Sequence, residues 1–203
     1  FAADSSLLRM ERTRNLLANM LEYAKYYAAI KGVAAAGSGD MNVDRRLESI
    51  QKLGSTVTDP LVMYMFAAWK RDRVSCDGLL RMLADLESYL FRRMVCSVSS
   101  NGLNKLVPSL IVRLDSAEDD LAETFAALLI TETAKATRMP TDSEFRQALL
   151  GENLYRPAWR CKYLLAGLEN YNHPKDPRSF SEYTIEHIMP QNAMAHAEWR
   201  NML

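Results

Sequence analysis

Cysteine is scarce in this chain: three residues (Cys76, Cys96, Cys161) among 203, widely spaced and odd in number. That excludes a disulfide framework and, with no CxxC pair, a common cysteine zinc site; the three read as reduced core thiols suited to the cytoplasm. Net charge is also lacking, since Lys+Arg and Asp+Glu both number 25. No global field attracts a polyanion, although a neutral whole can carry a basic patch. There is no apolar run long enough to span a bilayer, and the opening FAADSSLLRMERTR lacks the charged-then-apolar order of a signal peptide. A soluble, cytoplasmic protein with no membrane partner is therefore expected. Phe1 is not an initiator residue and Leu203 falls in a helical pattern, so the chain is expected to be a piece of a larger protein.

What is present is apolar residues, 48% of the chain, set mostly at helical spacing. From Ser5 to about Lys31 they recur on one stripe (Met10, Leu17, Met20, Leu21, Ala24, Tyr27), predicting a long amphipathic helix that stops at Gly32. GVAAAGSGD then reads as a loop. A shorter helix is expected around Leu47–Leu53, and Asp59-Pro60 supplies a cap and a first-turn proline for LVMYMFAAWK. Ser75 opens another long helix with Leu79, Leu80, Leu83, Leu86, Leu90 and Met94 inward. Asn101 can cap the next, which Pro108 should kink or delay. A helix with an acidic first turn follows from Ser116. Thr141 and Glu144 form a capping box, and Pro157 opens the last long helix. After the proline-punctuated NHPKDPRSF, Tyr183, Ile185 and Ile188 alternate as a strand, and residues 193–203 turn helical again. No internal repeat suggests a solenoid. The expected fold is mainly α: a multi-helix domain over residues 1–175, then the first strand and helix of a smaller domain over 176–203.

Candidate chemistry is sparse. Met63, Met65, Met82, Met94, Tyr23, Tyr26 and Tyr27 sit at helical spacing, so core packing outweighs a cofactor box. The runs KRDR (70–73) and RR (92–93) offer phosphate contacts, but solvated helix faces are the simpler reading. His173, His187 and His196 match no common zinc spacing. Glu186-His187 stands out: a carboxylate is a hard oxygen ligand for magnesium, and a neutral imidazole takes a proton near neutral pH. Neighbouring side chains of a strand point to opposite faces, so the pair can serve one centre only where the strand ends, as Pro190 implies.

IEHIMPQN followed by an alanine-rich helix with Trp199 resembles the opening of an HNH nuclease domain, the ββα-metal fold. More narrowly, MPTDSEFRQALL, YRPAWRCKYLLAGLE, YTIEHIMPQN and EWRNML together resemble the C-terminal half of GmrSD-like restriction endonucleases. YLFRRMVCSVSSNGLNKL is similar to that family's central helical region, so the resemblance covers nearly the whole chain. It implies that His187 is the general base activating water against a phosphodiester and that Glu186 is a ligand of a catalytic Mg2+ or Mn2+. It implies a DNA substrate of the phage type, with modified cytosines as one candidate mark, and weak backbone contacts through Arg92, Arg93, Arg156 or Arg160. In the family, a second strand and a later helix completing the metal shell follow a Gly-Asn-Leu segment expected beyond Leu203. Asn192 lies too close to the first strand for that role. A nucleotide-hydrolysing domain is expected before Phe1, and the chain alone is expected to cut poorly. The rival readings are a noncatalytic helical interaction scaffold and a domain that senses modified DNA.

Overall fold

The computed structural model describes residues 2–33, 37–173, 180, 182–186 and 192–202, with side chains from residue 8 onward. Two compact units are resolved, Phe1–Glu152 and Asn153–Leu203. Helices dominate the described residues and no strand occurs among them.

Unit 1 starts with α1 (Ala2–Ile30) and α2 (Met41–Lys52). Gly32, at φ +65°, takes the left-handed conformation that ends α1. Asp40 then caps α2, its carboxylate accepting from the N–H groups of Asn42 and Val43. α3 (Asp59–Lys70) carries Pro60 in its first turn, where a missing N–H costs nothing. The cap position falls on Thr58 rather than Asp59, which is already helical.

α4 (Cys76–Val95) is the central helix, capped by the Ser75 hydroxyl, which accepts from the Gly78 N–H. Leu79, Met82, Leu83, Leu86 and Tyr89 along it are essentially inaccessible, and α2, α3 and α6 pack around it. α5 (Leu103–Asp115) holds Pro108 inside it, and α6 is Leu121–Thr131. Both start later than their sequence patterns suggest. Ser99 caps a 3-10 turn at Ser100–Gly102 ahead of α5, and Asp120, not Ser116, accepts the first free N–H groups of α6. Phe125 and Leu129 of α6 and Leu110 and Leu114 of α5 complete a core that also holds Met65 and Phe66 of α3.

α7 (Asp142–Gly151) closes unit 1, with the Thr141–Glu144 capping box formed in both directions. It rests against α4 through an edge-on Phe91–Phe145 contact, 5.7 Å between ring centres.

Unit 2 contains α8 (Ala158–Asn172), preceded by Pro157, a 3-10 turn at Ala193–Ala195 and the short α9 (Ala197–Arg200). Of its described apolar residues only Cys161 and Ala193 are buried. Among the described residues that is little apolar burial for so short a segment.

The mainly helical expectation holds. The expected strand does not appear where it is described: residues 183–186 have no regular structure, and Ile188 lies outside the described residues. Alternation over so few positions forms a strand only if a neighbour supplies the ladder of hydrogen bonds, and no neighbour does so among the described residues.

Candidate functional site

The Glu186-His187 pair follows an aromatic contact between Phe180 and Tyr183, with ring centres 5.3 Å apart. Glu186 is exposed and non-helical, so its carboxylate is free to meet a solvent-borne ligand. His187 and Pro190 lie outside the described residues. Among the described residues the two other histidines join no ligand cluster. His173 caps the end of α8, 3.4 Å from the Glu169 carboxylate, and His196 is exposed ahead of α9. Among the described residues no group of three or more His, Cys, Asp or Glu is placed to hold a metal ion. Glu186 supplies one hard oxygen, and the described residues do not by themselves make a metal site.

The four arginines separate sharply. Arg93 is 3% exposed, and its guanidinium donates to the carbonyl oxygens of Ser99 (2.6 Å), Ala136 (2.9 Å) and Arg138 (3.2 Å). It also lies over the Tyr89 ring, 5.2 Å from its centre. A phosphate reaching that cation would have to break all three bonds, so Arg93 serves the interior and not a DNA-facing surface. Arg92 is half-buried, bonded to Asp142 at 2.6 Å and stacked on Phe145. Arg156 is exposed, whereas Arg160 is half-buried on α8. The basic run at 70–73 is spent on internal pairing. Lys70 donates to the Ser38 carbonyl and sits 3.8 Å from the Trp69 ring centre, Arg71 pairs with Glu22, and Arg73 pairs with Asp115.

Sequence reasoning did not find the structure around residues 132–140. Arg93 and Tyr89, whose hydroxyl donates to the Thr137 carbonyl, tie this loop to α4. Burial pushes the Tyr89 phenol up to about 12, so it remains a donor at any ordinary pH. Gly102 meets the same loop so closely that a Cβ there would lie 2.4 Å from the Ala136 carbonyl oxygen. Arg138, at the end of the loop, forms a two-pronged bond to Glu144. That guanidinium, followed by the Thr141 amide and hydroxyl, holds the Glu144 carboxyl down to about 2.

Between the end of α4, this loop and α7 lies an open cleft of about 430 Å³, with Cys96, Lys135, Arg138 and Glu144 among its walls. Burial, then the nearby Glu144 charge, pushes the Cys96 thiol up, which keeps it protonated and a poor nucleophile. Only the capping box hinted at this region, because the bonds that tie Tyr89 and Arg93 to the loop join residues more than forty positions apart.

The helical unit and the exposed Glu186 define, at the coarsest level, a helical protein with an acid–imidazole dipeptide near its C-terminal end. Residues 139–202, about a third of the chain, match the family model for GmrSD restriction endonucleases, C-terminal domain. Over those residues the chain is similar to the C-terminal domain of that family. No curated protein and no solved structure matches it. The matched segment contains α7, α8 and the whole of YTIEHIMPQN. No helix among the described residues is long and apolar enough to cross a membrane.

Proposed function

We propose that this chain belongs to a metal-dependent HNH endonuclease that restricts foreign DNA, with its reacting end in the segment around Glu186 and His187. The observation that carries the reading is the family match over 139–202, which encloses the one adjacent pair in the chain suited to hydrolysing a phosphodiester. In this reading His187, neutral near physiological pH, removes a proton from the attacking water. Glu186 contributes an oxygen ligand from an exposed position. A bound Mg2+ or Mn2+ would supply positive charge against the developing charge of the phosphate. Arg156, exposed just ahead of α8, contributes backbone contact to DNA, and Arg160 is the second candidate for that task. The wider expectations belong to the whole protein: the two further elements completing the metal shell, a preceding nucleotide-hydrolysing domain, and preference for DNA with modified cytosines.

The test is cleavage by the full-length protein of unmodified and glucosylated-cytosine DNA, with Mg2+ or Mn2+ or without metal, beside His187→Ala and Glu186→Gln. Metal-dependent cutting should fall by roughly 10²–10⁴-fold in His187→Ala, the usual loss when a general base is removed. Undiminished cutting in that variant would transfer the base role elsewhere. A folded protein that cuts neither DNA would favour the second reading, a helical interaction scaffold, which the solvent-exposed apolar side of α1 supports in its own right.

A further inference from the structure

α1 uses only its last turns to join unit 1. Ala29 and Ile30 are buried, Tyr26 packs on Phe66 with 5.2 Å between ring centres, and Glu22 holds Arg71. Everything from Leu8 to Leu21 is exposed. A second apolar stripe faces solvent along this free part, mostly on the side away from the docked residues. Met10, Leu16, Leu17, Met20 and Leu21 are 58 to 64% exposed, and Tyr27 prolongs the line at 43%. Met10, Leu17 and Ala24 recur at seven-residue spacing, and so do Thr13, Met20 and Tyr27, the repeat of a helix that pairs with another helix. The seam from Met10 to Tyr27 is about 27 Å long at 1.5 Å per residue. An apolar face of this kind, interrupted by Thr13 and densest from Leu16 to Tyr27, on a water-exposed helix marks an interaction surface.

Charge selects the occupant. Arg9 and Arg14, both exposed, border the seam at the two positions that face a partner helix's flanks, while Glu22 is already committed to Arg71 and Tyr26. A second α1 in parallel would set Arg9 against Arg14 of the other copy, like against like, and an antiparallel one with the seams overlapped would set Arg9 and Arg14 opposite Ala28 and Tyr23, with no acid to pair them. A bilayer suits the seam less well, because the stripe has no Trp or Phe and the opposite side carries Glu11 and Glu22 among its cations. We propose that the free face of α1 docks an amphipathic helix of another protein segment, one whose apolar stripe is flanked by Asp or Glu opposite Arg9 and Arg14. The proposal is independent of the nuclease reading.

Two synthetic helical peptides with the same Leu/Ala seam, one flanked by Glu and the other by Lys, are titrated into the 203-residue chain and followed by fluorescence anisotropy. The Glu peptide should bind at least about tenfold more tightly, and less tightly as salt rises. Leu17→Ser/Leu21→Ser should abolish binding, and Arg9→Glu/Arg14→Glu should reverse the preference. All four side chains are exposed, so circular dichroism should show unchanged helicity in these variants. Equal binding of both peptides, or of neither, overturns the proposal. So does a dimer of the chain alone in sedimentation, or adsorption to phosphatidylserine vesicles, if either is lost in Leu17→Ser/Leu21→Ser.

Discussion

Replacing Arg93 by Ala should unfold unit 1 more readily than any other single arginine change in the chain. The guanidinium is 3% exposed and is the donor to three carbonyls, two of them in the loop at 132–140 and the third just after α4. Each buried acceptor left without a donor costs about 1–3 kcal/mol. The three losses do not add fully, because one cavity admits shared water, so a total of about 3–5 kcal/mol is expected. Arg92→Ala provides the internal standard. Its partner Asp142 is 83% exposed, so the ion pair and the stacking on Phe145 together should be worth only about 1 kcal/mol. Urea unfolding followed by circular dichroism measures both, with the slope m unchanged and the midpoint shifted. At roughly 2–4 °C per kcal/mol for a unit of this size, Arg93→Ala should also lower the melting temperature by about 10 °C. If Arg93→Ala proves no costlier than Arg92→Ala, water replaces the guanidinium cheaply and the clamp does not hold the loop.

Gly102→Ala should destabilise by about 1–3 kcal/mol, since its Cβ would meet backbone of Ala136 that the Arg93 clamp prevents from yielding; urea midpoints read this directly. Glu144 is held at about 2 in the folded chain against an ordinary value of 4.5, so the stability it contributes is complete above about pH 4.5 and disappears as the pH falls through about 2. Glu144→Gln should therefore flatten the acid limb of a melting-temperature profile and leave little change in its shape at neutral pH. Arg156→Glu should leave the melting temperature unaltered yet weaken DNA binding by the full-length protein and reduce its salt slope by about one, whereas Arg93→Ala should lower stability without a specific change in that slope.

Features legible in the sequence were those whose chemistry closes within a few residues. Ser75 before α4, the Thr141–Glu144 box and the glycine stop after α1 each depend on hydrogen bonds or backbone conformations only a few positions apart, and each appears in place. The starts of α5 and α6 were misplaced because α5 begins without a side-chain cap, after the 3-10 turn that Ser99 caps, and because Asp120, at the end of the acidic run, accepts the first free N–H groups of α6. The two arginines at 92 and 93 look alike in sequence. Only the fold decides that one is buried and the other half-buried, because the partners of Arg93 at 136 and 138 lie more than forty residues away. Periodicity likewise revealed the stripe on α1 but could not say which of its sides would be covered.

The family match and the compact units do not begin at the same residue, and the difference has a physical consequence. The match starts at Met139, whereas unit 1 runs on to Glu152, so α7 belongs by packing to the helical unit and by resemblance to the nuclease-like segment. A chain cut at 139 would carry Glu144 away from Arg138, Asp142 from Arg92 and Phe145 from Phe91. It would keep the exposed Glu186 but, among its described residues, bury little beyond Cys161 and Ala193. The segment that carries the proposed chemistry thus starts on a helix that caps itself through Thr141 and Glu144 but whose aromatic contact and ion pairs have partners upstream, so its first helix is held in place by the helical unit.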